Sequence, residues 1–150
     1  MSGEKQRQEI VDEGDDGGEA PFQLPDGLHK PPGVVAALYT FPESLHGIAG
    51  RGDIRVVMWE LTPREERVAI KRAKGSELDA AYTMVHQAVR AVDDEVVDWG
   101  KEGAADNAIA KLMRDIGAKG RSLLMQAYLR QCSPSEEESE SFFASVKTGV

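Results

Sequence analysis

The chain has little of what most site chemistries need. Its 150 residues include one cysteine, Cys132, and three histidines, so an internal disulfide is excluded and little remains for a zinc site. Aromatic residues make up 6%, and no stretch approaches the ~18 consecutive apolar residues of a membrane span. The first thirty residues have no apolar run after a basic start, so we expect no secretory signal, a soluble cytoplasmic protein and no membrane partner.

The charge balance is acidic. Eighteen lysines and arginines stand against 26 aspartates and glutamates, a net charge of -8. Binding to a nucleic-acid duplex needs clustered positive charge, so we expect no nucleic-acid partner. The length and the 41% apolar content suit one domain of roughly 100–150 residues with a tail.

The first 33 residues differ from the rest of the chain. They carry eight acidic and three basic side chains, and glycines and prolines interrupt every periodic pattern. Such a segment buries too little apolar surface to offset the entropy lost on ordering. We therefore expect residues 1–33 to form a flexible acidic arm, either a solvated tail or a segment that folds on a partner through Phe22 and Leu24.

A strand is predicted between Asp53 and Leu61, where β-favouring residues alternate. Apolar residues fall on both faces of this strand, so both faces should be covered. The preceding apolar run from Val34 to Tyr39 is compatible with a short strand or with a helical turn, because periodicity does not separate the two at this length.

Helix signals dominate from Thr62 onward. Thr62, Pro63 and Glu65 form a capping-box start, and Gly75 is placed to end that helix. A second helix is predicted from Ser76, with one stripe formed by Leu78, Tyr82, Val85, Val89 and Val92.

The remaining helices follow the same logic. A third is expected over residues 105–116 with Gly117 beyond its end, and a fourth from Lys119. A fifth should start at Ser133-Pro134-Ser135-Glu136, after a connector around Asp93–Asp98 that has room for a short strand. The predicted fold is mainly α: four to five short helices preceded by a small β-element, with residues 34–150 as a single helical domain behind the disordered arm.

Motifs for catalysis, cofactors or metals are not found. The glycines from Gly47 to Gly52 precede a strand, whereas a phosphate-binding loop follows one, so they indicate a turn. The acidic run at Asp93–Asp98 lacks the glycine and glutamate spacing of a calcium loop. We therefore expect a non-enzymatic protein without cofactor or metal, and keep as the alternative a small enzyme or ligand-binding domain around His86 and Asp93–Asp98.

Candidate partner-binding residues are of two kinds. Phe142, Phe143 and Val146 give the last helix an apolar face, which serves either ordinary packing or a partner. Three further candidates have an alternative role within the chain itself: Trp59 as a core residue, and Lys71 and Arg72 as charges that balance the helix dipole.

Several phrases resemble a known family. Residues 54–62, followed by an acidic helix, are similar to the start of small tail assembly chaperones of long-tailed bacteriophages. The helix ending at Val92-Asp93, the Gly117–Arg121 helix start and the Ser133–Phe142 segment resemble the same group. The likeness covers residues 53–147 and leaves residues 1–52 uncovered.

The resemblance implies a non-enzymatic protein of phage tail assembly in the host cytoplasm. Family members coat the tape-measure protein and hand over to tail tube subunits, and some are also made as a longer frameshifted product. The arrangement also resembles small baseplate and tail components, so a structural virion part is the nearest alternative. Whether the chain forms a homo-oligomer is left open.

Overall fold

The computed structural model describes residues 22–74 and 76–146. In chain order, its elements are β1 (Ala37–Phe41), α1 (Glu43–His46), β2 (Ile54–Met58), α2 (Pro63–Arg72), α3 (Glu77–Ala88), β3 (Val89–Val92), β4 (Glu95–Val96), α4 (Glu102–Cys132) and α5 (Glu136–Ala144). Residues 1–21 of the predicted arm, and the predicted helix end at Gly75, lie outside the described residues. Among the described helices, none is both long and apolar enough to cross a membrane.

The strands form one antiparallel sheet in the order β1-β2-β3-β4. Ala37 pairs with Met58 and Phe41 with Ile54, so β1 aligns along the whole of β2. On the other side of β2, Val56 pairs with Val92, and the register shifts between Val57 and Met58. The ambiguous run after Val34 is thus resolved as a strand.

Both faces of β2 are covered, as its sequence predicts. Val56 and Met58 face the main core, which helices α2, α3 and α4 complete. Val57 and Trp59 face a second, smaller core on the opposite side. The apolar side chains that cover this second core are Leu38 of β1 and four from the chain before β1: Phe22, Leu24, Leu28 and Val34. Three side chains that the sequence assigns to the arm, those of Phe22, Leu24 and Leu28, therefore pack against the sheet.

The predicted start of α2 is confirmed. The Thr62 hydroxyl accepts a hydrogen bond from the Glu65 amide at 3.2 Å, and the Glu65 carboxylate accepts one from the Thr62 amide at 2.9 Å. Each bond satisfies an amide that the first helical turn leaves without a partner.

The predicted helical stripe is wrong beyond Ala88. The chain leaves α3 at Val89 and continues as β3 to Val92. As a strand, this segment forms backbone hydrogen bonds with β2 and buries its side chains. These contacts with distant residues outweigh the local helical pattern. At the other end of the stripe, Leu78 and Tyr82 are exposed and do not face the core.

The acidic connector is a tight hairpin turn. Asp93 and Asp94 both adopt positive φ, at 50° and 69°, and β4 follows directly, so the short strand allowed for in this connector is confirmed. Two positive-φ residues are the geometry whose twist suits a two-residue hairpin. Asp93 holds the turn against β2, because its carboxylate accepts from the Arg55 amide at 2.8 Å and pairs with Arg51 at 2.7 Å.

The third and fourth predicted helices meet directly. α4 runs from Glu102 to Cys132 and breaks at Gly117, where φ is 69° and ψ is −174°. The predicted interruption at Gly117 is confirmed, but no loop separates the two helical segments. The backbone conformation at this residue is one that only glycine adopts without strain.

The fold class is mixed. About 53% of the described residues are helical, and a four-stranded antiparallel sheet forms the centre of this part of the chain. The predicted small β-element is thus larger than expected, and β3 and β4 lie between helices instead of before them. One helix, α4, is long, where only short helices are predicted from the sequence.

Candidate partner-binding surfaces

Helix α5 is held by its own caps and contributes nothing to the core. The Ser135 hydroxyl accepts from the Glu138 amide at 3.0 Å, and the Glu138 carboxylate accepts from the Ser135 amide at 2.8 Å. The sequence places this cap two residues too early, at Ser133. The Ser133 hydroxyl instead donates to the Leu129 carbonyl at 2.7 Å, which closes the end of α4.

The aromatic pair on α5 is exposed. Phe142 and Phe143 are 65% and 68% exposed and Val146 is 55% exposed, and no residue of α5 is buried. The two phenylalanine rings lie edge to face, with centroids 5.1 Å apart. Phe142 and Phe143 lie in the last turn of the helix and Val146 follows its end; together the three form what we call the α5 face.

Carboxylates border the α5 face. Glu140 lies one helical turn before Phe143, Glu138 lies one turn before Phe142, and Glu136 lies on the same stripe a further turn away. Between Glu136 and Val146 the sequence contains no lysine or arginine. The α5 face is therefore an apolar stripe within an acidic field.

A second exposed surface lies on α2. Arg64, Arg67, Val68, Ile70 and Lys71 line a shallow area that we call the α2 face. Val68 and Ile70 are 40% and 50% exposed. Arg64, Arg67 and Lys71 follow a spacing of three and four residues, so their charges form one row along the helix.

An apolar groove runs between β1, α1 and α4. Phe41 and Leu124 are buried at its base, and Leu123 is exposed at its rim. Tyr39 contributes a half-buried phenol to the wall. Burial raises the pKa of Tyr39, and the positive charge of Arg130 opposes that rise. Arg130 is the one charged residue among those that line this groove.

The structure separates the two basic candidates. Lys71 is exposed and belongs to the α2 face. Arg72 is engaged within the chain, because its guanidinium pairs with Asp106 at 2.6 Å and lies over the Trp99 ring, 5.6 Å from the centroid. Arg72 thus joins α2 to α4.

Trp59 lies inside the fold. It is 4% exposed, and the guanidinium of Arg90 lies 5.0 Å from its ring centroid. Arg90 also donates to the Glu65 carboxylate at 3.0 Å and to the carbonyls of Trp59 and Glu60 at 3.3 Å. The placement of Trp59 is that of a core residue.

The Arg90 contact changes the acidity of Glu65. Partial burial raises the pKa of Glu65, but the hydrogen bonds from Arg90 and Thr62 outweigh that effect and hold the pKa below its ordinary value. The sequence reasoning missed this cluster. An arginine inside the apolar run Val89–Val92 was the available signal, since a buried charge requires a partner.

The cleft beside Asp93 does not bring together the groups of the enzymatic alternative. Asp93 and Glu95 border a cleft with Arg51, Lys111 and Asp115, and His86 is not among the residues that line it. Burial lowers the pKa of His86, and the positive charges of Arg121 and Arg72 add to that effect. In the described part of the chain, no group of three or more metal-ligating side chains comes together.

Comparison with protein-family models, with curated proteins and with solved structures finds no match to this chain. The described residues form a small α+β domain whose last helix is exposed, acidic and apolar on one side.

Proposed function

We propose that this protein is a non-enzymatic binding protein of tail assembly in long-tailed bacteriophages. It acts in the cytoplasm of the infected cell and holds the tape-measure protein, or a tail tube or baseplate protein, during tail morphogenesis. The single observation that carries the proposal is the exposed pair Phe142 and Phe143, on a helix that gives none of its residues to the core.

The chemistry of the α5 face suits a helical client. A short amphipathic helix binds through apolar side chains spaced three or four residues apart, and aromatic side chains supply much of the energy in such contacts. The bordering glutamates keep the helix soluble while its apolar face is free. The phrases that resemble phage tail assembly chaperones support the choice of client.

The test is co-expression with the tape-measure protein of the same phage, followed by affinity capture. The full chain should retain the tape-measure protein, and Phe142→Ser/Phe143→Ser should not. Leu129→Ser is the matched control, because Leu129 is 56% exposed on α4 and lies outside the α5 face. Failure of the unaltered chain to retain any tail protein would contradict the proposal.

A structural tail or baseplate component is the second form of the proposal. An assembly chaperone leaves before the particle is complete, whereas a virion part remains. Mass spectrometry of purified particles distinguishes the two forms. The chain should be absent from the particles if it is a chaperone and present at a fixed copy number if it is a component.

A further inference from the structure

We infer that the α2 face is the docking site for the α5 face of a second copy of this chain. The two surfaces are opposite in charge: three basic side chains line the α2 face, and four glutamates belong to α5. Both also expose apolar side chains. The inference concerns the free protein and does not depend on the identity of any phage partner.

The charges on the two faces are available for pairing. Within residues 22–74 and 76–146, no ion pair involves Arg64, Arg67 or Lys71. The same holds for Glu136 and Glu140. Bringing the two faces together would therefore add ion pairs without breaking any that exists between described residues.

The side chains also match in kind. The aliphatic stems of arginine and lysine cover apolar surface while their charged ends reach outward. Arginine stacks favourably on aromatic rings. With Phe142 and Phe143 against the row of Arg64, Arg67 and Lys71, the rings meet the stems and the bordering carboxylates meet the charged ends.

The described residues of the same chain leave the α5 face uncovered, and a second copy can supply the cover. The link from α4 to α5 is three residues long, and both of its ends are fixed, by the Ser133 bond to Leu129 and by the Ser135 capping box. In the chain held this way, Phe142 and Phe143 are exposed. Each copy carries both faces, so a two-fold dimer uses α5 and α2 of both molecules at once.

Charge reversal on each face tests the inference with the full-length chain. Sedimentation velocity over a wide range of protein concentration should show a monomer–dimer equilibrium that weakens at high salt. Arg64→Glu/Lys71→Glu should raise the dimer Kd about tenfold or more. Glu136→Lys/Glu140→Lys should also raise the dimer Kd about tenfold or more. This variant has a smaller net negative charge, which by itself would favour non-specific association.

Mixing the two reversed variants is the decisive arm. The acidic α5 of one then meets the intact α2 face of the other, and the reversed α5 meets the reversed α2 face. The mixture should therefore form a heterodimer with a Kd close to that of the unaltered chain. The matched control is Lys101→Glu/Lys119→Glu, which changes two exposed lysines outside both faces and alters the net charge as much as the α2 reversal does.

Three results would overturn the inference. The first is a sedimentation coefficient that stays that of a monomer at every protein concentration. The second is a dimer that the α2 reversal leaves as tight as the control. The third is a mixture of reversed variants that stays monomeric. Loss of tape-measure capture bears on the proposed function and not on these measurements, so the two can fail separately.

Discussion

The guanidinium of Arg90 lies over the ring of Trp59, 5.0 Å from its centroid, and hydrogen-bonds the same residue's carbonyl. Arg90 comes from β3, whereas Trp59 follows β2 and Glu65 belongs to the first turn of α2. One side chain therefore connects the sheet, the turn after it and the capping box of the next helix.

Removing Arg90 should cost more stability than removing any exposed arginine. Arg90→Ala removes a charged donor from the carbonyls of Trp59 and Glu60 and from the Glu65 carboxylate, which keeps only the Thr62 amide. We expect a loss of about 3 kcal/mol in the free energy of unfolding. Arg55→Ala is the control, since its ion pair with Asp94 is exposed and should contribute about 0.5 kcal/mol. Urea denaturation measures both, and equal losses would contradict the role given to Arg90.

The pKa of Glu65 predicts a loss of stability in acid. Because the folded-state pKa lies below the ordinary value of 4.5, the stabilisation is complete above that value and is lost as the pH falls through the lower, folded pKa. We expect Glu65→Gln to be less stable than the unaltered chain at neutral pH. The difference in their free energies of unfolding should become smaller below about pH 4.5. Urea denaturation of both proteins across this pH range measures that difference, and a difference that does not change with pH would refute the prediction.

The two capping boxes should differ in their effect on global stability. Thr62→Ala removes the cap of a helix that is packed on the core, and we expect a loss of about 1 kcal/mol. Ser135→Ala weakens α5, which buries none of its residues, so global unfolding should not change. Amide hydrogen exchange in residues 136–144 should instead become faster. A global loss of equal size in both variants would show that α5 is packed in solution.

Gly117 should resist substitution more than another glycine of the same helix, Gly103. Its φ of 69° and ψ of −174° are strained for any residue with a Cβ, and we expect Gly117→Ala to cost about 1–3 kcal/mol. Gly103→Ala is the matched control on the same helix, because a Cβ there meets no atom within 4 Å and alanine favours helix by up to about 1 kcal/mol. Thermal unfolding of the two variants should shift in opposite directions.

Features with local causes were predictable from the sequence. The Thr62 capping box and the break at Gly117 depend on a few neighbouring residues, and both are found. The two covered faces of β2 follow from alternation within one short run.

Features that depend on distant chain were not predictable. Val89–Val92 continues a helical pattern, and only the pairing with β2 makes it a strand. The Arg90 cluster joins residues 25 and 31 positions apart, and the groove beside β1 is formed by side chains from both halves of the domain. Ser133 and Ser135 are equally good caps by composition, and the bond from Ser133 to Leu129 decides between them.

The break at Gly117 also determines where α5 is carried. The segment from Ala118 to Cys132 is about 22 Å long, and it ends at the short link to α5. Leu124 and Tyr128 of this segment are buried in the main core, and Gln131 donates to the Met58 carbonyl at 3.2 Å, so the packing of the segment on the sheet fixes the position of its far end. A substitution at Gly117 that disturbs this packing would therefore displace the phenylalanine pair without altering a residue of either docking surface.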